Sequence, residues 1–281
     1  MNDVVRDIVR TNVPDAGTEL SFVKFNTAGS PLRTTPNVLF FCFDGGQLPR
    51  WCLKTVRAPR DNAIITKSFA DLQALYRLSG ANGIFPRPIW AGEDDGIAWS
   101  IEEAVPGHRA SAAEIPQVLK TYIEFQRTTG IVGTIPAKEK AAALIQRIDL
   151  SAAECAQLQA LCEAHCRGAI ALIPQHGDFT PDNVLVSASR ISIVDCDSFM
   201  PEGVAGFDMF HFLSRIPHAI AHISEYMRLY TRSLGIQREF DACDLLVWLL
   251  QERVLKQEQG APRDQESIVH AFDRWRPRFE V

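Results

Sequence analysis

Between Gln175 and Phe199 the sequence reads QHGDFTPDNVLVSASRISIVDCDSF, and residue types suited to oxygen-ligand and proton chemistry recur in it at short intervals. Asp178 follows His176–Gly177 and shortly precedes Thr180–Pro181, which places its carboxylate on a loop. Asn183 comes five residues later, where the first of two short apolar runs begins. The runs, VLV and ISIV, read as a small hairpin that returns Asp195 to the neighbourhood of Asp178 and Asn183. Two carboxylates and one amide oxygen converging on a strand-end loop form a hard, oxygen-rich site suited to Mg²⁺. Asp197 adds either a further ligand or a hydrogen-bonding prop, and His176 belongs to the same catalytic loop as its brace rather than as a proton carrier.

Phosphoryl transfer calls for such a set. Its transition state is loose, so a protein contributes positioning and charge neutralisation: a metal ion on the phosphate oxygens, a lysine supporting the phosphates, and a separate carboxylate orienting the nucleophile. Lys54, in the apolar run Trp51–Val56, is a candidate for the lysine.

The elements that must position these residues can be read in outline. Glu19–Asn26 and Asn37–Asp44 are expected strands, and Asp44–Gly45–Gly46–Gln47 is a turn leading into the third, Trp51–Val56. A helix is expected near Ala63–Leu78, then the breaker-rich GIFPRPIWAGEDDG, then a strand over Ile97–Ala104 that ends at Pro106–Gly107. Beyond Gly107 the pattern turns helical. Two helix starts carry the same capping box, Ser111–Ala–Ala–Glu114 and Ser151–Ala–Ala–Glu154. The expected exceptions to helix lie between Leu172 and Ser198, and from Phe207 onward the reading is helical again, with loops at Leu234–Gln237 and Gly260–Arg263. A strand-rich front joined by a short connector to a helical back predicts two lobes, residues 1–103 and 104–281, with a cleft between them.

His176–Gly–Asp–Phe–Thr–Pro–Asp–Asn183 resembles the H-G-D-x-x-x-x-N loop of aminoglycoside phosphotransferases and choline kinases, and its Asp-to-Asn spacing matches the protein-kinase catalytic loop. Ile193–Val–Asp–Cys–Asp197 resembles the second motif of that family, a strand ending in D-x-D. The resemblance covers about residues 19–215. It implies an α+β, two-lobed protein-kinase-like fold, with an antiparallel sheet and a helix in a nucleotide-binding N-lobe and a mainly helical C-lobe with a catalytic hairpin. It implies an ATP- and Mg²⁺-dependent transfer of the γ-phosphoryl group to a hydroxyl of a small molecule: a sugar, an amino alcohol or an antibiotic. Asp178 would be the acceptor-side carboxylate, Asn183, Asp195 and Asp197 the metal site, and Lys54 the phosphate-supporting lysine. Asp71, on the expected helix, stands where a Glu usually pairs with that lysine; Asp reaches one methylene less. Main-chain groups near Glu103–Val105 would hold the adenine, and Asp208 matches part of a downstream element. The first loop, Thr27–Ala–Gly–Ser–Pro–Leu–Arg–Thr–Thr, departs from the pattern because it lacks G-x-G-x-x-G.

Composition sets the boundaries of this reading. The chain has 281 residues, 46% hydrophobic and 22% charged, an ordinary globular balance. The net charge of −5 is spread evenly, with no basic segment to suggest nucleic acid or a membrane surface as partner. No apolar run reaches the roughly 20 residues that span a bilayer, and the first residues lack the apolar core of a signal peptide, reading instead as a short amphipathic helix. Seven cysteines, an odd number, favour reduced thiols and a cytoplasmic location.

Two other clusters have bland readings. Cys155, Cys162 and Cys166 fall on one helical face beside His165, but one straight helix cannot enclose a tetrahedral metal, and buried cysteine is a common small apolar residue. His218, His222 and Glu225 share another face and could line an acceptor pocket. Two alternatives to a small-molecule kinase stay open on the residues. One is a kinase for protein side chains, against which stands the lack of an A-P-E element. The other is a nucleotide-binding pseudokinase module, against which stand Lys54, Asp178, Asn183 and Asp195 together.

Overall fold

A computed structural model describes residues 2–28, 34–80, 83–258 and 266–279. Most of the first loop singled out above, Gly29–Arg33, and the Gly260–Arg263 loop lie outside them. In chain order the front carries helix α1 (Asn2–Asn12), strands β1 (Leu20–Ala28), β2 (Thr34–Asp44) and β3 (Trp51–Val56), helix α2 (Asn62–Ser79), strands β4 (Pro88–Asp94), β5 (Ile97–Glu103) and β6 (His108–Arg109), and helix α3 (Ile115–Thr129). There follow β7 (Gly133–Pro136), α4 (Ala137–Ile145), α5 (Ala152–His165), β8 (Ala169–Gln175), β9 (Val184–Val186), β10 (Ile191–Ile193) and β11 (Met200–Val204). Helices α6 (Phe207–Ser214), α7 (Pro217–Ile220), α8 (Ile223–Ser233), α9 (Ala242–Glu258) and α10 (Ile268–Trp275) follow among the described residues.

Two compact units emerge, one of Met1–Thr128 with His176–Phe199, the other of Thr129–Gln175 with Met200–Val281. The first is built on a five-stranded antiparallel sheet in the order β1-β2-β3-β5-β4. Alternation divides its side chains between two faces. One face carries Val38, Phe40, Leu53, Trp99 and Ile101, which are buried with Val5, Ile8, Val9 and Val13 of α1. This is the amphipathic helix expected at the start of the chain, and its apolar stripe covers the sheet. The Asp44–Gly45–Gly46 stretch opens the bend that joins β2 to β3, with Gly45 at φ 68° and the Arg50 N–H closing onto the Cys42 carbonyl.

The expected strands and the α2 helix appear with ends shifted by a few residues, as fraying termini permit. Both capping boxes form, although the first opens a 3-10 turn over Ala112–Glu114 before α3 begins. Two expectations need correction. The breaker-rich stretch before Ile97 holds strand β4; it is an edge strand with Pro88 at its first position, where proline removes no ladder hydrogen bond. The back half also has more strand than the hairpin alone. β7, β8 and β11 form a second antiparallel sheet in the order β11-β8-β7, inside the second unit. These runs are short and carry Pro136, Pro174 and Pro201, so they show no clear period-2 signal. The expected hairpin is β9–β10, paired Val184↔Ile193 to Val186↔Ile191 and extended by β6.

Candidate active site

The second face of the five-stranded sheet carries Lys54. Register places Phe25, Leu39, Lys54 and Ser100 in one row across β1, β2, β3 and β5, with Val23, Phe41, Cys52 and Glu102 in the next. Diagonal neighbours on one face come within reach of long side chains. Lys54 Nζ accordingly meets Glu102 Oε2 at 3.1 Å, both side chains nearly buried. Burial pulls the Lys54 ammonium towards neutrality, but Glu102, with Asp195 adding to it, outweighs burial and holds the group above its ordinary value. Burial also pushes the Cys52 thiol up to about 12, so it stays protonated beside the lysine. Val23 and Phe25 leave about half of their area exposed on this face.

The pairing expected between Lys54 and Asp71 is replaced by Lys54–Glu102. Asp71 is held instead by Lys67, one helical turn away, at 2.5 Å. The short Asp side chain projects from α2, whereas Glu102 stands on the strand hydrogen-bonded to that of Lys54 and needs no reach across elements. Glu102 escaped sequence reasoning because its face follows only from the β3–β5 register.

The His176–Asn183 loop is fixed by main-chain contacts. His176 is fully buried, and its ring lies parallel to Phe85 with centroids 6.2 Å apart. Its Nε2–H donates to the Val194 carbonyl at 3.1 Å, and Nδ1 accepts from the Asp178 N–H at 3.3 Å. Both ring nitrogens therefore serve the backbone, the arrangement of a brace. Gly177 has φ 89°, and a Cβ there would stand 1.9 Å from the Ser198 carbonyl oxygen, so only glycine lets the loop approach the Asp195–Ser198 turn. Asn183 Nδ2 donates to both the main-chain carbonyl and Oδ2 of Asp178, each at 2.9 Å. The Asn183 carbonyl accepts from the Val194 N–H, which closes the hairpin onto the next motif.

Asp195 adopts φ 63°, a left-handed conformation uncommon for a residue with a Cβ. Asp197 is mostly buried, and burial together with the charges of Asp195 and Asp178 raises its carboxyl to about 6. Clustered carboxylates that resist common ionisation are what a divalent cation relieves, and with the Asn183 amide the donors are all hard oxygens, so the residues fit Mg²⁺. Among the described residues no three His, Cys, Asp or Glu side chains already form a metal-holding group.

The connector is partly committed to the fold. Glu103 N–H donates to the Arg87 carbonyl and Ala104 N–H to the Arg50 carbonyl, while the Glu103 carboxylate faces Arg190 at 3.3 Å. In the second unit Asp208 is fully buried, with its N–H donating to Gln175 Oε1. His222 and Glu225 form an exposed pair at 3.5 Å, and His218 is exposed. All seven cysteines are free thiols; Cys162, Cys166 and Cys243 are buried.

A family model described as the phosphotransferase enzyme family matches residues 40–222, well over half of the chain. The chain belongs to this family. The matched span contains Lys54, the His176–Asn183 loop and Asp195, and membership makes the protein a small-molecule kinase, a phosphotransferase with an alcohol group as acceptor. Solved structures agree on the fold. A choline kinase from Cryptosporidium parvum Iowa II superposes with a TM-score of 0.62 at 12% identity, over 98% of this chain and 94% of that one. A macrolide 2′-phosphotransferase from Brachybacterium faecium gives 0.58 at 13%, over 99% and 97%. The amicoumacin kinase hAmiN, solved with AMP-PNP, Ca²⁺ and Ami, gives 0.54 at 13%, over 100% and 96%. The phosphotransferase thus has the two-lobed protein-kinase-like fold, α+β in class. No curated protein matches its sequence. No helix among its described residues is long and apolar enough to cross a membrane.

Proposed function

We propose that the protein transfers the γ-phosphoryl group of ATP, bound with Mg²⁺, to a hydroxyl of a neutral or singly charged small molecule such as a sugar or amino alcohol. One observation carries the reading: Lys54, Asp178, Asn183 and Asp195 come together within a single compact unit, Asn183 bonded to Asp178 and Asp195 acting on Lys54. Lys54, kept charged by Glu102, supports the phosphates. The apolar side chains of Val23, Phe25 and Phe41, on the same face of the sheet, suit the face of a base. Of the connector's N–H groups, those of Glu103 and Ala104 are engaged in the fold, so the edge of the base falls to Val105 and the carbonyls. Asp178, oriented by Asn183, accepts the acceptor's hydroxyl proton or aligns that hydroxyl. Asn183, Asp195 and Asp197 hold the metal ion, which when bound neutralises charge on the phosphate oxygens. Residues 1–103 would then serve the nucleotide and 104–281 the catalytic loop and the acceptor. The AMP-PNP and Ca²⁺ named for the amicoumacin kinase support a nucleotide with a divalent ion. Seven unpaired thiols support the cytoplasm.

The acceptor class follows from charge. Polycationic substrates require several uncompensated carboxylates, yet residues 104–281 carry 22 acidic against 18 basic residues, and four of the acids lie in the catalytic motifs. Asp241 and Asp244, two of the remainder, are already engaged by Arg238. The test is ATP turnover with and without Mg²⁺ against sugars, amino alcohols and kanamycin-type aminoglycosides. Turnover with the first two classes is expected. Efficient, salt-sensitive phosphorylation of the aminoglycosides alone would refute the acceptor class. Nucleotide binding with no turnover on any acceptor would favour a pseudokinase module.

A further inference from the structure

Because Glu102 takes Lys54, the acid of α2 is released for another task. Lys67 and Asp71 lie one turn apart on α2 and pair at 2.5 Å. Lys67 Nζ also donates to the main-chain carbonyl of Asp197 at 2.7 Å, across 130 residues of sequence. Two residues further on, the Phe199 N–H faces the Asp71 carboxylate and favours its ionised form. One helix thus grips the turn after β10 at two main-chain groups, through two side chains that also hold each other.

The turn needs holding. Asp195 sits at φ 63°, a conformation that costs a residue with a Cβ free energy and persists only where the surroundings impose it. Its N-terminal side is tied down by the Val194 N–H and carbonyl, which bond Asn183 and His176. Past Ile193 the chain leaves the β9–β10 ladder, and beyond Asp195 α2 supplies the two contacts described. We propose that Lys67 and Asp71 are positioning residues: a two-point clamp on Asp197–Phe199 that fixes the direction of the Asp195 and Asp197 carboxylates. This rests on the metal role proposed above for those two residues. Lys67 is a donor with a long stem, so it reaches a carbonyl that an acid on the helix could not engage. A charge-assisted bond to a main-chain carbonyl holds the loop without occupying either carboxylate.

The experiment has two arms, on the full chain. In the first, calorimetry follows Mg²⁺ titrated into protein with saturating ADP, for wild type, Lys67→Met, Lys67→Arg and Asp71→Ala. Lys67→Met and Asp71→Ala should each weaken Mg²⁺ about tenfold, the scale of one lost charge-assisted hydrogen bond. Lys67→Arg, which keeps a cationic donor, should recover most of the loss, and ATP KM at saturating Mg²⁺ should move little. In the second arm, nucleotide-free, amide exchange at Phe199 should accelerate in Asp71→Ala by a similar factor. Wild-type Mg²⁺ affinity in both Lys67→Met and Asp71→Ala, or unchanged Phe199 exchange in Asp71→Ala, would overturn the clamp. A wild-type protein that shows no Mg²⁺ effect with ADP, while Phe199 exchange still accelerates in Asp71→Ala, would remove the metal reading and leave the clamp as the hold on the turn.

Discussion

Replacing Glu102 by Gln separates the pairing seen in the structure from the one expected on α2. Gln keeps the volume and a hydrogen-bond acceptor but removes the charge opposite Lys54. The two side chains are only 13% and 9% exposed, so water cannot replace the lost partner. Removing one member of a buried pair typically costs about 3–5 kcal/mol, because the other charge is left uncompensated. Asp195 still acts on Lys54, so the lower end applies, about 3 kcal/mol. Without Glu102 the burial contribution dominates, and the Lys54 pKa should drop below its ordinary value. Folding of the variant then holds its stability above the unfolded value of about 10.4 and loses it as pH falls through the lowered one. In the wild type the shift is upward, so its contribution is complete at neutral pH and is lost only at strongly alkaline pH. The assay is equilibrium urea unfolding beside ATP KM, for Glu102→Gln, Lys54→Met and the double variant. Lys54→Met should raise KM or lower kcat strongly. The double variant should be more stable than Glu102→Gln alone, since it no longer buries an orphan ammonium. Stability and KM unchanged in Glu102→Gln, with the full loss appearing in Asp71→Asn, would refute the Lys54–Glu102 assignment.

Three further outcomes test the site. Asp178→Asn should keep the fold and nucleotide affinity and lower kcat by roughly a thousandfold or more; a rate above about a tenth of wild type, an effect under roughly 1.4 kcal/mol, would remove Asp178 from its role. Asp195→Ala should abolish Mg²⁺-dependent nucleotide binding in calorimetry while metal-free stability stays level or rises, because the empty site repels itself; unchanged Mg·ATP affinity would contradict the assignment. The Asp197 carboxyl is raised to about 6, so protonation favours the metal-free fold: its contribution is complete below the unfolded value near 3.9 and is lost as pH climbs through 6. Mg²⁺ affinity should therefore fall as pH drops from 7 to 5, and a flat profile over that range would exclude Asp197 from the site.

The sequence by itself determined the chemistry and the elements that carry it most locally. His176, Asp178, Asn183 and Asp195 lie on the segments that flank the β9–β10 hairpin, and its short span leaves such residues little freedom except to meet. Lys54 was legible from its place in an apolar run after a turn, together with the resemblance to the phosphate-supporting lysine of the third strand. The capping boxes of Ser111 and Ser151 are likewise complete within four residues and needed nothing from the rest of the chain. Tertiary structure alone decided which acid Lys54 meets. Both Asp71 and Glu102 were present, and only the β3–β5 register, a contact across some fifty residues, puts Glu102 on the lysine's face. The second sheet was hidden for a related reason: β7, β8 and β11 are separate short runs whose strand character comes from pairing with one another, not from their own periodicity. The hold of α2 on Asp197 and Phe199 belongs to the same class. The Lys67–Asp71 spacing announces an ordinary i,i+4 pair on a helix, and the main-chain groups it grips become visible only once the chain has folded back 130 residues later.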